Sequence, residues 1–268
     1  MYNYAFPYSI LLILHMHYHL TQIPERTHKP RTNGMTMVMD KGLSSQEVEN
    51  MIEVAGPHID IVKLGWATSF VTPILQKKLD IYRAAGIPTY FGGTLFEAFI
   101  IRNQYDDYKK ILDKYNMEYA EISDGSIILD HEKKCSYIKD LKKQVRVVSE
   151  VGSKDATNIM APYQWIELMK AELDAGSEYV IAEARESGNV GIYRDSGEVR
   201  QGLVQEVLTK IPSEKILWEA PQKVQQTWFI KLLGANVNLG NIPTNEVIPL
   251  ETLRLGLRSD TFHHFLDK

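Results

Sequence analysis

Eight short β-rich runs, each followed by a stretch of helical periodicity, constrain the fold of this chain most. They read "MTMVMDKG" (35–42), "IDIVKLGW" (59–66), "PTYFGGT" (88–94), "YAEISDGS" (119–126), "RVVSEVGS" (146–153), "YVIAEARES" (179–187), "KILWEAP" (215–221) and "ANVNLGNI" (235–242). Strand and helix alternating in this way build parallel βαβ units. Eight such units in about 240 residues close most economically into a single (β/α)8 TIM barrel. A doubly wound open sheet is the competing architecture. The helices carry their own end signals. Ser44 with Glu47 predicts a capping box, and Gly56 a stop. Pro162 sits near the start of "APYQWIELMKAELDAG", and Gly176 lies just past its end. "TPILQKKLDIYRAAG" ends in Gly86 and "QKVQQTWFIKLLG" in Gly234.

No Pro/Ser-rich linker divides the chain, so residues 31–268 read as one barrel domain. Residues 1–30 read as an extension outside the core fold; His15, His17 and His19 belong to it. Its apolar run is shorter than the ~20 residues a membrane span needs, and it lacks the basic start of a signal peptide. A 44% hydrophobic, 24% charged chain of 268 residues has ample material for one large core. The net charge of −4 carries no signature for nucleic acid, and no membrane partner is expected. Cys135 is the only cysteine, which fits a reducing, cytoplasmic setting. A homo-oligomer is compatible with all of this.

Charged and polar groups gather at the carboxyl ends of the expected strands: Asp40 and Lys41, Lys63, Glu121 and Asp124, Glu150 and Lys154, Glu183 with Arg185 and Glu186, Glu219, then Asn238 and Asn241. In a barrel these ends form the active face. Alternation along a strand puts Glu150 with Lys154, and Glu183 with Arg185, on one side. Outward, such charges would press into the helix layer at a cost. Inward, they meet water, metal or ligand. A purely structural ring of ion pairs is the competing explanation. Carboxylates from several strands suit Mg²⁺, so Glu121, Glu150, Glu183 and Glu219 are the candidate ligands, without ranking. Lys41, Lys63, Lys154, Arg185 and Lys223 are available for anions, and Asn238 joins them where barrels often hold phosphate. Glu97, three residues after Thr94, reads as a capping box. Gly152 would leave room for ligand, or simply form a turn. "SGNVGIYRDSGEV" is a lid or, more safely, a surface hairpin. No GxGxxG, P-loop, zinc spacing or Ser/His/Asp order is present.

The series "KPRTNGMTMVMDKGL", "DIVKLGWATS", "FGGTLFE", "EISDGSI", "EVGSKD", "EARESGNVG", "WEAPQK", "VNLGNI" and "LRLGLRSDT" resembles phosphosulfolactate synthase. The motifs run in order over residues 29–261. The resemblance implies a (β/α)8 barrel and Mg²⁺-dependent addition of sulfite to phosphoenolpyruvate. The product would be (2R)-phospho-3-sulfolactate, on one route to coenzyme M. Another phosphoenolpyruvate-like or 2-oxoacid reaction on the same site is an alternative, as is a non-catalytic stress-associated barrel. For the addition, a metal and cationic side chains would stabilise charge developing on the carboxylate. Lys154 is the first candidate for general acid and Lys63 the second, on the expectation that burial among cations lowers a lysine pKa. Arg185, with its planar fork, is the expected anion clamp.

Overall fold

The computed structural model describes residues 18–152, 160–185 and 187–266. All eight runs contain a strand: β1 (Thr36–Asp40), β2 (Ile61–Leu64), β3 (Thr89–Phe91), β4 (Tyr119–Ile122), β5 (Arg146–Val151), β6 (Tyr179–Ala182), β7 (Ile216–Glu219) and β8 (Leu239–Pro243). They form one sheet in the order β3-β2-β1-β8-β7-β6-β5-β4, with every ladder parallel. β3 and β4 end that order and pack beside each other without a ladder between them, so the barrel is nearly closed. The open-sheet alternative is thereby excluded.

The strands are buried on both faces, which is why they read as nearly continuous apolar runs. One set of alternate residues fills the lumen: Met37, Ile61, Tyr119, Val148, Ile181 and Leu217. The other set, including Val38, Val62, Ala120 and Val180, packs outward beneath the helices. Those helices are α1 (Ser45–Ala55), α2 (Thr68–Val71), α3 (Leu75–Ala84), α4 (Gly93–Ile100), α5 (Tyr105–Lys114), α6 (His131–Leu141), α7 (Pro162–Ala175), α8 (Gln201–Leu208), α9 (Lys223–Leu233) and α10 (Val247–Arg254). The Ser44–Glu47 capping box forms as expected. The one expected at Thr94 does not. α4 starts at Gly93, so Thr94 is already inside the helix. Glu97 instead accepts hydrogen bonds from Ser123 Oγ and, at 3.1 Å, from Ser126 N.

The amino-terminal face of the barrel is closed by basic side chains. Fully buried Arg254 donates to the carbonyls of Ala235 and Val237, each at 2.7 Å, and of Met35 at 3.1 Å. Arg26 donates to Glu251 at 2.9 Å and Lys29 to the Gly56 carbonyl at 2.9 Å. Residues 26–31 are therefore tied to the base of the barrel. Loop "SGNVGIYRDSGEV" is a hairpin, closed by an antiparallel bridge between Tyr193 and Val199. It is anchored where Tyr193 OH donates to the Glu219 carbonyl at 2.6 Å and Ile192 N to the Glu183 carbonyl at 3.1 Å. Among the described residues no helix is long and apolar enough to cross a membrane.

Candidate active site

Alternation along the strands builds the site. Lys63, Glu121, Glu150, Glu183 and Glu219 each lie two residues beyond an apolar lumen residue, namely Ile61, Tyr119, Val148, Ile181 and Leu217. They therefore share the lumen side and form a charged layer on top of the apolar plug, at the carboxyl ends of the strands. All five are buried. Lys63 reaches across from β2. Its Nζ lies 3.0 Å from Glu121 Oε2, 3.4 Å from Glu219 Oε1 and 3.5 Å from Glu150 Oε2. Backbone donors fix the acids further. Gly93 N donates to Glu121 Oε1 at 2.7 Å, Ala184 N to Glu219 Oε2 at 2.9 Å, and Arg185 N to Glu183 Oε1 at 2.6 Å. Gly93 must be glycine here, since a Cβ would lie 2.1 Å from Ser123 Oγ and 2.6 Å from Glu121 Oε1. "GG" thus does more than turn the chain: it admits a helix amino terminus to a buried carboxylate.

Among the described residues, Lys63 is the ammonium seen in contact with this buried layer, and it touches three of the four carboxylates. Burial, reinforced by Glu150 and Glu121 against the opposing Lys63, pushes the Glu219 carboxyl up to about 7. Burial also raises Glu121, partly offset by Lys63. Burial alone would pull Lys63 down, but Glu121, Glu219 and Glu150 outweigh it and hold the ammonium well above its ordinary value. The expected lowering of this lysine is therefore corrected: Lys63 is buried among carboxylates, not among cations. Tyr90, unremarked in the sequence, stands beside this layer; burial first and then Glu121 hold its phenol neutral. Its position two residues before Gly92, on the lumen side, is the signal that finds it.

Glu150, Glu183 and Glu219 each offer an oxygen, and these oxygens all lie within 4.8 Å of one another. Hard carboxylate oxygens converging in this way are what Mg²⁺ accepts, so the residues fit that ion.

The other candidates divide. Arg185 stands at the rim, exposed, with φ 53°. Lys41 is exposed, with Nζ 4.8 Å from the centroid of the Trp66 ring. The loop carrying Lys41 is held by Asp40, which faces outward and accepts from Lys78 Nζ at 2.7 Å, Tyr82 OH at 2.9 Å, Gly42 N at 2.8 Å and Leu43 N at 2.9 Å. Lys223 begins α9 and is paired with Asp260 at 3.0 Å. Asp124 is paired with Lys134 at 2.9 Å, and the same ammonium bonds Glu172 at 2.8 Å and the Glu150 carbonyl at 2.6 Å. Lys154 and Glu186 lie outside the described residues.

Asn238 does not reach the mouth. β8 starts one residue later, and Asn238 serves the opposite face, accepting from Met35 N at 3.0 Å and donating to the Glu214 carbonyl at 3.1 Å. A cavity of about 520 Å³ on that face, lined in part by Asn33, Glu178, Tyr179 and Lys215, is remote from the carboxylates. Gly152, at φ 133°, leaves room for protein rather than ligand: a Cβ there would lie 2.6 Å from Glu183 Cβ.

Known proteins agree with the motif series. Residues 24–260 match the family described as (2R)-phospho-3-sulfolactate synthase (ComA). The chain is 41% identical over 244 residues to a phosphosulfolactate synthase of Bacillus subtilis (strain 168), covering 90% of this chain and 97% of that protein. It is 39% identical over 244 residues to one from Methanothermobacter thermautotrophicus, covering 89% and 95% respectively. Among solved structures, 3-hexulose-6-phosphate synthase from Salmonella typhimurium shares the fold, with a TM-score of 0.55 at 13% identity over 84% of this chain and all of that one.

Proposed function

Because the chain belongs to the phosphosulfolactate synthase family, whose members are lyase-type enzymes, we propose that it adds sulfite to phosphoenolpyruvate to give (2R)-phospho-3-sulfolactate with the help of Mg²⁺. The observation that carries this reading is the buried layer in which Lys63 faces Glu121, Glu150 and Glu219, while Glu150, Glu183 and Glu219 converge within 4.8 Å. A solvated surface has no need of so much buried, like-signed charge.

Glu150, Glu183 and Glu219 would hold the ion. When bound there it supplies Lewis-acid stabilisation of the negative charge that develops on the substrate carboxylate. The chain's own groups do the rest. Arg185 and Lys41, at the rim, orient the phosphate and carboxylate, with Lys223 behind them. Sulfur attacks the methylene carbon, the carbon–sulfur bond forms, and the displaced electron pair moves toward the carboxylate. Lys63, fixed as an ammonium, offsets that charge in a water-poor site. Lys154 then delivers a proton to the carbon bearing the phosphate ester, with Lys63 as the second candidate. The partners implied are small anions, without nucleic acid or membrane, in the cytoplasm; a homo-oligomer would be compatible.

Incubation with Mg²⁺, phosphoenolpyruvate and sulfite should give an adduct with the mass of phosphosulfolactate. Folded, metal-loaded protein that makes none would end the proposal. Lys154→Ala should lose about 10²–10⁴-fold in turnover while keeping its fold and metal. Product exchange in deuterated water reads the proton transfer directly, and normal exchange in that variant would move the role to Lys63.

A further inference from the structure

We propose that Asn241 completes the cation site: its carboxamide oxygen accepts a hydrogen bond from the water shell of a divalent ion held by Glu150, Glu183 and Glu219. This rests on the metal reading above.

The register of β8 places Asn241 in the lumen. Thr36 pairs with Leu239 and Val38 with Ile242, so two residues of β8, Gly240 and Asn241, oppose the single Met37 of β1. Leu239 and Ile242 both pack in the outer layer, and Met37 lies in the lumen. The inserted pair meets the lumen layer: a Cβ on Gly240 would lie 2.8 Å from Met37 Cε and 3.0 Å from Leu217 Cδ2, and the bulge re-aims the chain at the residue that follows. Consistently, Asn241 N approaches Met37 Sδ at 3.4 Å. Gly240 is the partner of Glu219 in the β7–β8 ladder, so Asn241 stands one residue further toward the mouth, on the strand next to Glu219.

Two features of Asn241 have no structural return. Its φ is +53°, inside a strand. Of the other side-chain-bearing residues at positive φ among the described residues, Trp66 and Ala67 after β2 and Arg185 after β6 lie at carboxyl ends of strands, whereas Gln22, Asn103 and Asn116 do not. Strain of that kind persists where the surroundings enforce it, and it gathers at functional sites. Secondly, Asn241 is 4% exposed and its Oδ1 has no hydrogen-bond partner among the described residues. A buried acceptor left open calls for a donor. Several donors of the charged layer are already engaged: Lys63 Nζ with three carboxylates, and the amides of Gly93 and Ala184 with Glu121 and Glu219. Tyr90 OH is the buried donor there that has no hydrogen-bond partner among the described residues. Phosphate, sulfite and carboxylate groups bring mainly acceptors at neutral pH. A hydrated cation brings donors, and Mg²⁺ usually keeps several of its waters.

The test uses Mn²⁺ as the probe ion, with the free ion followed by electron paramagnetic resonance, together with thermal melts. Asn241→Gly removes the amide and relieves the backbone, since glycine adopts positive φ freely. Asn241→Asp keeps an oxygen in place. The expected result is Mn²⁺ binding about 10–100-fold weaker in Asn241→Gly, the usual effect of losing an outer-shell partner, with a melting temperature at or above that of the wild type. Asn241→Asp should bind at least as tightly as the wild type. Equal affinity of wild type and Asn241→Gly overturns the role of Asn241 and leaves the metal reading standing. If Asn241→Gly does not fold, a tenfold weakening in Asn241→Asp overturns it instead. A wild-type protein that binds no Mn²⁺ overturns the metal reading, and this role with it.

Discussion

Lys63→Met should be the most damaging single substitution in this protein, losing about 10²-fold or more in turnover and about 3–5 kcal/mol in stability. Methionine keeps most of the length and removes the charge. In the wild type the ammonium lies within 3.5 Å of Glu121, Glu150 and Glu219, all buried. Removing it leaves those carboxylates facing one another without the ammonium that contacts all three. The cost comes less from the lost pairs than from the charges left behind. Urea unfolding and initial rates at saturating phosphoenolpyruvate and sulfite measure the two losses separately. Part of the stability should return at acid pH, where the acids can be neutralised by protons. A variant with wild-type turnover and an unchanged unfolding midpoint would show that Lys63 neither balances this layer nor serves the reaction.

In metal-free protein, stability should fall as pH rises from about 5 to about 7.5. Glu219 has its folded pKa raised from 4.5 to about 7. A raised carboxyl favours the folded state while protonated, so its contribution is full below the unfolded pKa and is lost as pH rises through the folded one. The difference amounts to about 3 kcal/mol from this group, and Glu121 acts in the same direction. Glu172 and Glu251 act oppositely. Burial would raise them, but Lys134 and Arg26 hold them below their ordinary value, so their stabilisation is lost as pH falls below about 4.5. These carboxyls alone place the maximum near pH 5, and His58, whose imidazole is pulled below its ordinary value by burial, moves it upward. At pH 7.5, Mg²⁺ or Mn²⁺ at 100 times its dissociation constant should return about 2.7 kcal/mol. Melts across this pH range, with and without the ion, measure both effects. A metal-free stability that is flat or rises toward pH 7.5 would contradict the charge arrangement.

The barrel is legible in the sequence because β-rich runs alternate with helical periodicity eight times, and several of the helices carry their own end signals, such as Ser44 with Glu47 and Pro162 with Gly176. The inward direction of Lys63, Glu121, Glu150, Glu183 and Glu219 is legible for a simpler reason: each stands two residues past an apolar lumen residue. Asn238 misleads because Ala235 and Val237 look like strand but belong to the base, where Arg254 takes their carbonyls. The bulge at Gly240 and Asn241 then shifts the parity of β8, and no local pattern announces it. The pKa of Lys63 is a property of closure. Its neighbours come from β4, β5 and β7, and only the rolled sheet brings them within reach. Glu97 has a helix-cap spacing in the sequence, yet its partners lie 26 and 29 residues away.

The missing ladder between β3 and β4 gives Lys63 a second meaning. β2 and β4 flank the strand at that gap, and the Lys63–Glu121 contact at 3.0 Å bridges them through the lumen. Glu121, Glu150 and Glu219 come from β4, β5 and β7 and the lysine from β2, so the contact with Glu121 ties one margin strand to the strand beside the other margin. Shape and reactivity then share one fastening of that gap, beside the hydrogen bonds of Gly93 to Glu121 and of Ser123 and Ser126 to Glu97. A descendant of this chain that abandoned the chemistry would still lose part of what joins β2 to β4 if it discarded the lysine.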